Sequence, residues 1–250
     1  MHHRGVDAAA GALTRLTCAR GCSLGLFAMA ALVGVLTTEP SFAARPFVTD
    51  DADVIKPGAC EVELVHSEQR ARMAQAERST SAQLGCGVGA STELALAGQR
   101  TTRGSEHWPV LMVGGKTGLR PVSDGALGVA VAYSLVGEKL PGSAFKQTRA
   151  AASLVATESR GRVLAHSNLG FAHDRVLHAN TTVWGFAVEK LGDRFDFGGE
   201  VFGESFRSAW LGAGARYAVL PDRLSFDTSY SVRSNSARAR RATFGMTFAF

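Results

Sequence analysis

The clearest pattern along the chain is strict alternation. In Leu127-Gly128-Val129-Ala130-Val131-Ala132-Tyr133-Ser134-Leu135 every odd position is large and apolar, while every even one is Gly, Ala or Ser. Side chains of a β-strand point to opposite faces in turn, so such a segment has one greasy face and one small, polar face. The same period recurs in Leu224–Val232 and in Thr243–Phe250. Convincing 3.6-residue periodicity is missing downstream of the N-terminal region. Counting alternating segments predicts twelve strands, near 60–70, 80–89, 92–100, 109–119, 125–136, 146–157, 162–172, 181–190, 195–204, 208–218, 224–232 and 241–250.

Alternation alone also suits a soluble sandwich, so the choice rests on other features. The segments are even in number and about ten residues long, as for tilted strands crossing a hydrocarbon core. Tight turns are expected at Ala90-Ser91, Ser159-Arg160, Gly192-Asp193 and Pro221-Asp222, and a slightly longer one at Pro121–Asp124. Connections after strands one, three, five, seven and eleven read as longer and more polar, the ninth being an exception. Short turns on one side and long loops on the other fit a transmembrane barrel with both termini in the periplasm. The last strand, with Ala242, Phe244, Met246, Phe248 and Phe250 at period two, resembles the C-terminal signature recognised by the barrel-assembly machinery, and the terminal Phe250 is its key residue.

The N-terminus supplies an export signal. Apolar Leu24–Leu36 follows Arg4, Arg15 and Arg20 and precedes Ser41-Phe42-Ala43, the order of a signal peptide with cleavage after Ala43. The run is too short to span a bilayer, and no later window approaches twenty apolar residues, so re-entry into a membrane requires a closed barrel. The expected organisation is a signal peptide at 1–43, a periplasmic lead-in at 44–59 and a barrel at 60–250, Sec-exported to a bacterial outer membrane. Net charge is +5, or +4 without the signal's three Arg, Asp7 and Glu39, too weak a bias for nucleic acid. Cys18 and Cys22 leave with the signal, and Cys60 and Cys86 remain to form a disulfide. A hairpin centred near Met73 sets Cys60 opposite Cys86, both on the outward face.

Carrying this parity through each strand turns Glu61, Glu63, Glu93, Lys116, Arg149, His166, Asn168, Glu189, Asp196, Glu200, Glu204, Arg216, Asp227 and Arg241 inward. Arg or Lys on the lipid face near the midplane would cost roughly 2–4 kcal/mol each. The lumen is then polar and mildly acidic, either as a salt-bridged filling or as a selectivity lining. His166 and Asn168 share one face and Ser167 takes the other, which denies serine hydrolase chemistry its local pair. No cofactor-binding, metal-binding or nucleophile-elbow motif occurs in the mature chain. His173 and His178 fall in a loop, and Asp50-Asp51-Ala52-Asp53 reads as a solvated lead-in before it reads as a calcium site. Loop arginines Arg70, Arg72, Arg78, Arg103, Arg207, Arg233 and Arg238 suit the phosphates of outer-membrane lipid and lipopolysaccharide.

The stretch Arg45-Pro46-Phe47-Val48-Thr49-Asp50-Asp51-Ala52, with Pro57-Gly58 and the Glu61/Glu63 strand, resembles the opening of the outer-membrane family assigned to the MetA pathway of phenol degradation, also called transporters. The resemblance implies a barrel that takes up aromatic or other hydrophobic small molecules, and brings no catalytic residues. The expected function is a passive channel or transporter for a small-molecule solute, with no enzyme activity. The alternatives are a closed-lumen structural or surface-interaction barrel and a lipid-modifying barrel enzyme. Pro46-Phe47-Val48 offers a small apolar plug for the periplasmic mouth.

Overall fold

The computed structural model describes residues 46–72, 74–234 and 239–250. The signal peptide and its cleavage site, Arg45, Met73 and Arg238 lie outside the described residues. The described chain has twelve strands: β1 (Cys60–Arg70), β2 (Glu77–Gly89), β3 (Thr92–Arg103), β4 (Glu106–Arg120), β5 (Leu127–Glu138), β6 (Lys146–Arg160), β7 (Val163–Asp174), β8 (Ala179–Lys190), β9 (Phe195–Glu204), β10 (Trp210–Leu220), β11 (Leu224–Arg233) and β12 (Arg240–Ala249). Each pairs antiparallel with its sequence neighbours, and β12 pairs with β1, closing the sheet. Closure leaves no open edge, the condition for crossing lipid with strands.

The burial pattern runs opposite to that of a soluble protein. Outward Leu96, Phe171 and Phe244 are 53%, 68% and 57% exposed, whereas inward Ala130, Val155 and Ala187 are at 0%. Together with the apolar outer band, this makes the chain a transmembrane antiparallel up-and-down barrel. On β5 the small residues Gly128, Ala130, Ala132 and Ser134 face in, leaving Val129, Val131, Tyr133 and Leu135 outside. The predicted parity holds because a one-residue slip would turn every apolar side chain into the lumen.

Barrel closure and the disulfide meet at one residue. Cys60 stands opposite Cys86 in the β1–β2 register and is bonded to it. The same Cys60 exchanges backbone hydrogen bonds with Phe250, its N–H donating to the Phe250 carbonyl at 2.9 Å and its carbonyl accepting the Phe250 N–H at 2.8 Å. First and last strands are thus tied where the first hairpin is stapled.

The loops depart from the expected two classes. β3 and β4 continue past their predicted ends and are joined by Gly104 and Ser105 alone, while β4 and β5 are separated by residues 121–126. The reason is that Thr101–Arg103 and Glu106–His107 are polar on both faces, so alternation fades although backbone pairing continues, Arg103 opposite Glu106. The β2–β3 turn holds Ala90 and Ser91 at φ 48° and 53°, the left-handed pair that a two-residue hairpin turn requires.

Candidate functional site

Twelve strands enclose more volume than their own side chains fill. Here the chain's N-terminal segment takes up that space. The lead-in was expected in the periplasm; its described residues 46–55 instead sit among inward-facing side chains. An extended segment brings one donor and one acceptor per residue, and inside a barrel these need partners. The wall supplies them. Glu200 on β9 accepts the Val48 and Thr49 N–H groups at 2.9 and 3.0 Å and the Thr49 hydroxyl at 3.1 Å. With its amide turned to satisfy both groups, Asn168 on β7 accepts the Asp50 N–H at 2.6 Å and donates to its carbonyl at 3.0 Å. Thr157 on β6 accepts the Ala52 N–H at 2.9 Å, and Glu93 on β3 accepts that of Ile55 at 2.7 Å.

Lys116 on β4 is the electrostatic centre of this contact. Its Nζ lies 3.2 Å from a carboxylate oxygen of Asp50, 3.2 Å from one of Asp51 and 3.1 Å from the Asp51 carbonyl, with Glu93 at 3.9 Å. Asp50 and Asp51 of the acidic run therefore flank an ammonium, while Asp53 is exposed. Among the described residues no three His, Cys, Asp or Glu side chains converge as metal ligands. Burial pushes the Asp50 carboxyl upward against the lowering influence of Lys116, and burial likewise raises Asp53.

Glycines and alanines of the wall make room for the segment. A Cβ on Gly185 would come within 2.6 Å of Thr49 Oγ1, and one on Gly87 within 2.2 Å of the Lys56 carbonyl oxygen. Ala52 packs with Ala130 and Val155, and Val48 lies against the cluster of Phe202, Trp210 and Ala239.

The remaining predicted lumen residues also face inward. Glu63, His166, Glu189, Asp227 and Arg241 are buried, while Glu61, Arg149, Asp196 and Arg216 are half-buried. His166 Nδ1 lies 3.0 Å from Thr157 Oγ1 and its Nε2 3.7 Å from Glu189. Arg149 bonds to Glu204 at 3.0 Å, and Arg216 stands in register between Asp196 and Asp227. Ser167 is exposed on the outer wall, so His166 and Ser167 are not brought together.

Toward the rim away from Cys60 and Phe250 the lining is aromatic and cationic, a feature the alternation did not reveal. Arg233 and Arg241 lie 5.5 and 5.0 Å from the centre of the Trp210 ring, which stacks on Phe202, and Arg103 lies 5.6 Å from that of Trp108. Three of the loop arginines have partners of their own. Arg103 is bonded to Glu77, Arg207 pairs with Glu204 at 3.2 Å and Arg233 covers an indole, so none of the three is a free cation for lipid. Arg70 and Arg78 do face outward and share Glu68. His173 contacts Asn180 at 2.8 Å.

A family model described as uncharacterised conserved protein UCP029691 matches residues 31–250. The chain belongs to this family. Comparison with curated proteins gives no match. Among solved structures it is similar to the KdgM porin in complex with disordered oligogalacturonate, at 8% identity and a TM-score of 0.58, covering 76% of this chain and 99% of that one. The NanC porin gives 8% identity and a TM-score of 0.52, covering 75% and 98%. At such identity the likeness establishes a porin-like barrel fold. The phenol-degradation label is not supported by these matches.

Proposed function

We propose that the protein is a passive bacterial outer-membrane channel for small solutes, closed at rest by its own N-terminal segment. The observation that carries this reading is how residues 46–55 are held. Beside the apolar packing of Phe47, Val48 and Ala52, they meet the wall through hydrogen bonds and one lysine, polar contacts that water can replace, in a barrel that shares the porin fold. The inward charges act first as docking partners for the segment and become a lumen lining once it leaves. The rim that carries Cys60 and Phe250 faces the periplasm in this reading, and the exposed Phe250 is the handle for the assembly machinery. The resemblance of the N-terminal stretch favours aromatic or hydrophobic solutes, for which Trp108, Phe202 and Trp210 offer flat surfaces at the far mouth. No cofactor and no catalytic step belong to this reading.

A closed structural barrel is the second reading, and a specific observation favours it: Ala130, Val155, Thr157 and Ala187 are all at 0% exposure, so the wall is pressed against its filling. Planar-bilayer recording separates the two. Deleting residues 46–53 is expected to produce steady conductance where the intact protein gives only brief openings. A deletion variant that folds, shown by heat-modifiable gel mobility, yet stays silent establishes the closed barrel.

A further inference from the structure

The outer wall carries a cluster of cations that the lumen does not use. At the rim away from Cys60 and Phe250, Arg240 on β12, Arg70 on β1, Arg78 on β2 and Arg100 on β3 all have outward parity, and all four are exposed. The register places them together. Arg240 is directly opposite Arg70, Glu68 is opposite Arg78, and Arg100 is opposite Thr80, one same-face step from Arg78. Arg70 and Arg78 both bond to Glu68, while Arg100 and Arg240 have no carboxylate partner among the described residues. Four guanidiniums against one carboxylate leave a local charge of +3 (4 − 1).

Like charges directly opposite across a ladder are destabilising, so the Arg70–Arg240 pair calls for an anion. Its location says which kind. The rung that holds Arg100 continues outward-facing through Thr80, His66 and Phe244, and the next rung toward the barrel's middle is Leu111, Gly98, Ala82 and Leu64, so the cluster stands on the edge of the lipid-facing band. An anion bound here has its apolar part against that band. A Cβ on Gly98 would meet nothing within 4 Å, and Ala82 and Ala242 are also small, which recesses the wall beneath the cations. From Arg240 to Arg100 the cluster crosses three inter-strand spacings, about 14 Å at ~4.8 Å each. One phosphodiester headgroup cannot bridge that span. Guanidinium forks match phosphate oxygens in pairs and bind them more specifically than ammonium groups do.

We infer that this four-strand arginine cluster is a binding site for a lipid whose headgroup carries more than one phosphate, its acyl chains lying in the recess over Ala82 and Gly98. The site is independent of whether the lumen conducts. It narrows the wider set of loop arginines to Arg70 and Arg78 and adds Arg100 and Arg240, which strand parity alone turns to the outside.

Native mass spectrometry of the detergent-solubilised full chain tests it, with diphosphoryl lipid A, phosphate-free lipid A and phosphatidylglycerol as probes. Wild-type protein should retain diphosphoryl lipid A at least tenfold better than either other lipid. Arg78→Ser with Arg100→Ser should remove most of that preference. Arg160→Ser with Arg162→Ser, at the opposite rim where these residues pair with Glu158 and Asp193, should leave it intact. Equal retention of phosphatidylglycerol or of phosphate-free lipid A by the wild type overturns the proposal without any variant. So does undiminished preference in the Arg78/Arg100 variant, or an equal loss in the opposite-rim control, provided each variant keeps its heat-modifiable mobility.

Discussion

Replacing Lys116 with Met tests whether the N-terminal segment is latched by charge. The Lys116 side chain is 6% exposed and that of Asp50 9%, so this ion pair is held away from water. Removing one partner of a buried pair costs about 3–5 kcal/mol, because the other charge is left uncompensated. Asp50 can limit the loss. Its carboxyl, already pushed upward by burial, takes up a proton more readily when the ammonium is gone, so the lower end of the range applies. A loss of about 3 kcal/mol in seating, at 1.4 kcal/mol per decade, raises the population of the released segment roughly 140-fold. Hydrogen exchange of the peptide covering residues 46–55 reads this directly. The Val48, Thr49, Ala52 and Ile55 amides each donate to a wall side chain, and all four should exchange faster in the variant while the β7–β8 amides do not change. Adding Asp50→Asn and Asp51→Asn to Lys116→Met should restore much of the protection, since neither carboxylate then needs a counter-charge. Unchanged exchange in the single variant, or loosening of the whole barrel in step with the segment, would refute the latch.

Two other predictions probe the same architecture. Gly185→Ala places a methyl against Thr49 without altering any charge and should loosen residues 46–55, whereas lipid-facing Gly98→Ala should have no effect on their exchange. Substituting Cys60 and Cys86 by Ser opens a link spanning 26 residues, worth about 3.5 kcal/mol of chain entropy by loop closure, and should shift the urea midpoint of refolding into detergent micelles downward. An unshifted midpoint would mean that the Cys60–Phe250 backbone pair and the β1–β12 ladder hold this corner unaided.

The alternating residues of β5 carry their own placement. Leu127 to Leu135 cannot be inverted without burying a lumen of leucine and exposing glycine to lipid, so strand, face and hairpin register are local properties, and Cys60 opposite Cys86 follows by counting. Twelve strands and the inward direction of Glu93, Lys116, His166 and Glu200 are legible for the same reason. The ends of β3 and β4 are less so, since polar residues at a rim pair by backbone alone and leave no alternation to read.

What meets what inside the barrel is a different kind of information. Glu200 holds Val48 across 152 residues of sequence, and Lys116 reaches Asp50 across 66, separations at which no periodicity connects the partners. Period two decides that a side chain points inward, but only closure of the sheet sets the width of the space and the identity of the wall facing it. The same holds outside, where Arg70, Arg78, Arg100 and Arg240 become one charged surface because β12 returns to β1. Local alternation therefore fixed the barrel and the facing of its residues, while the tertiary structure alone turned the acidic lead-in into a seal and scattered arginines into a site.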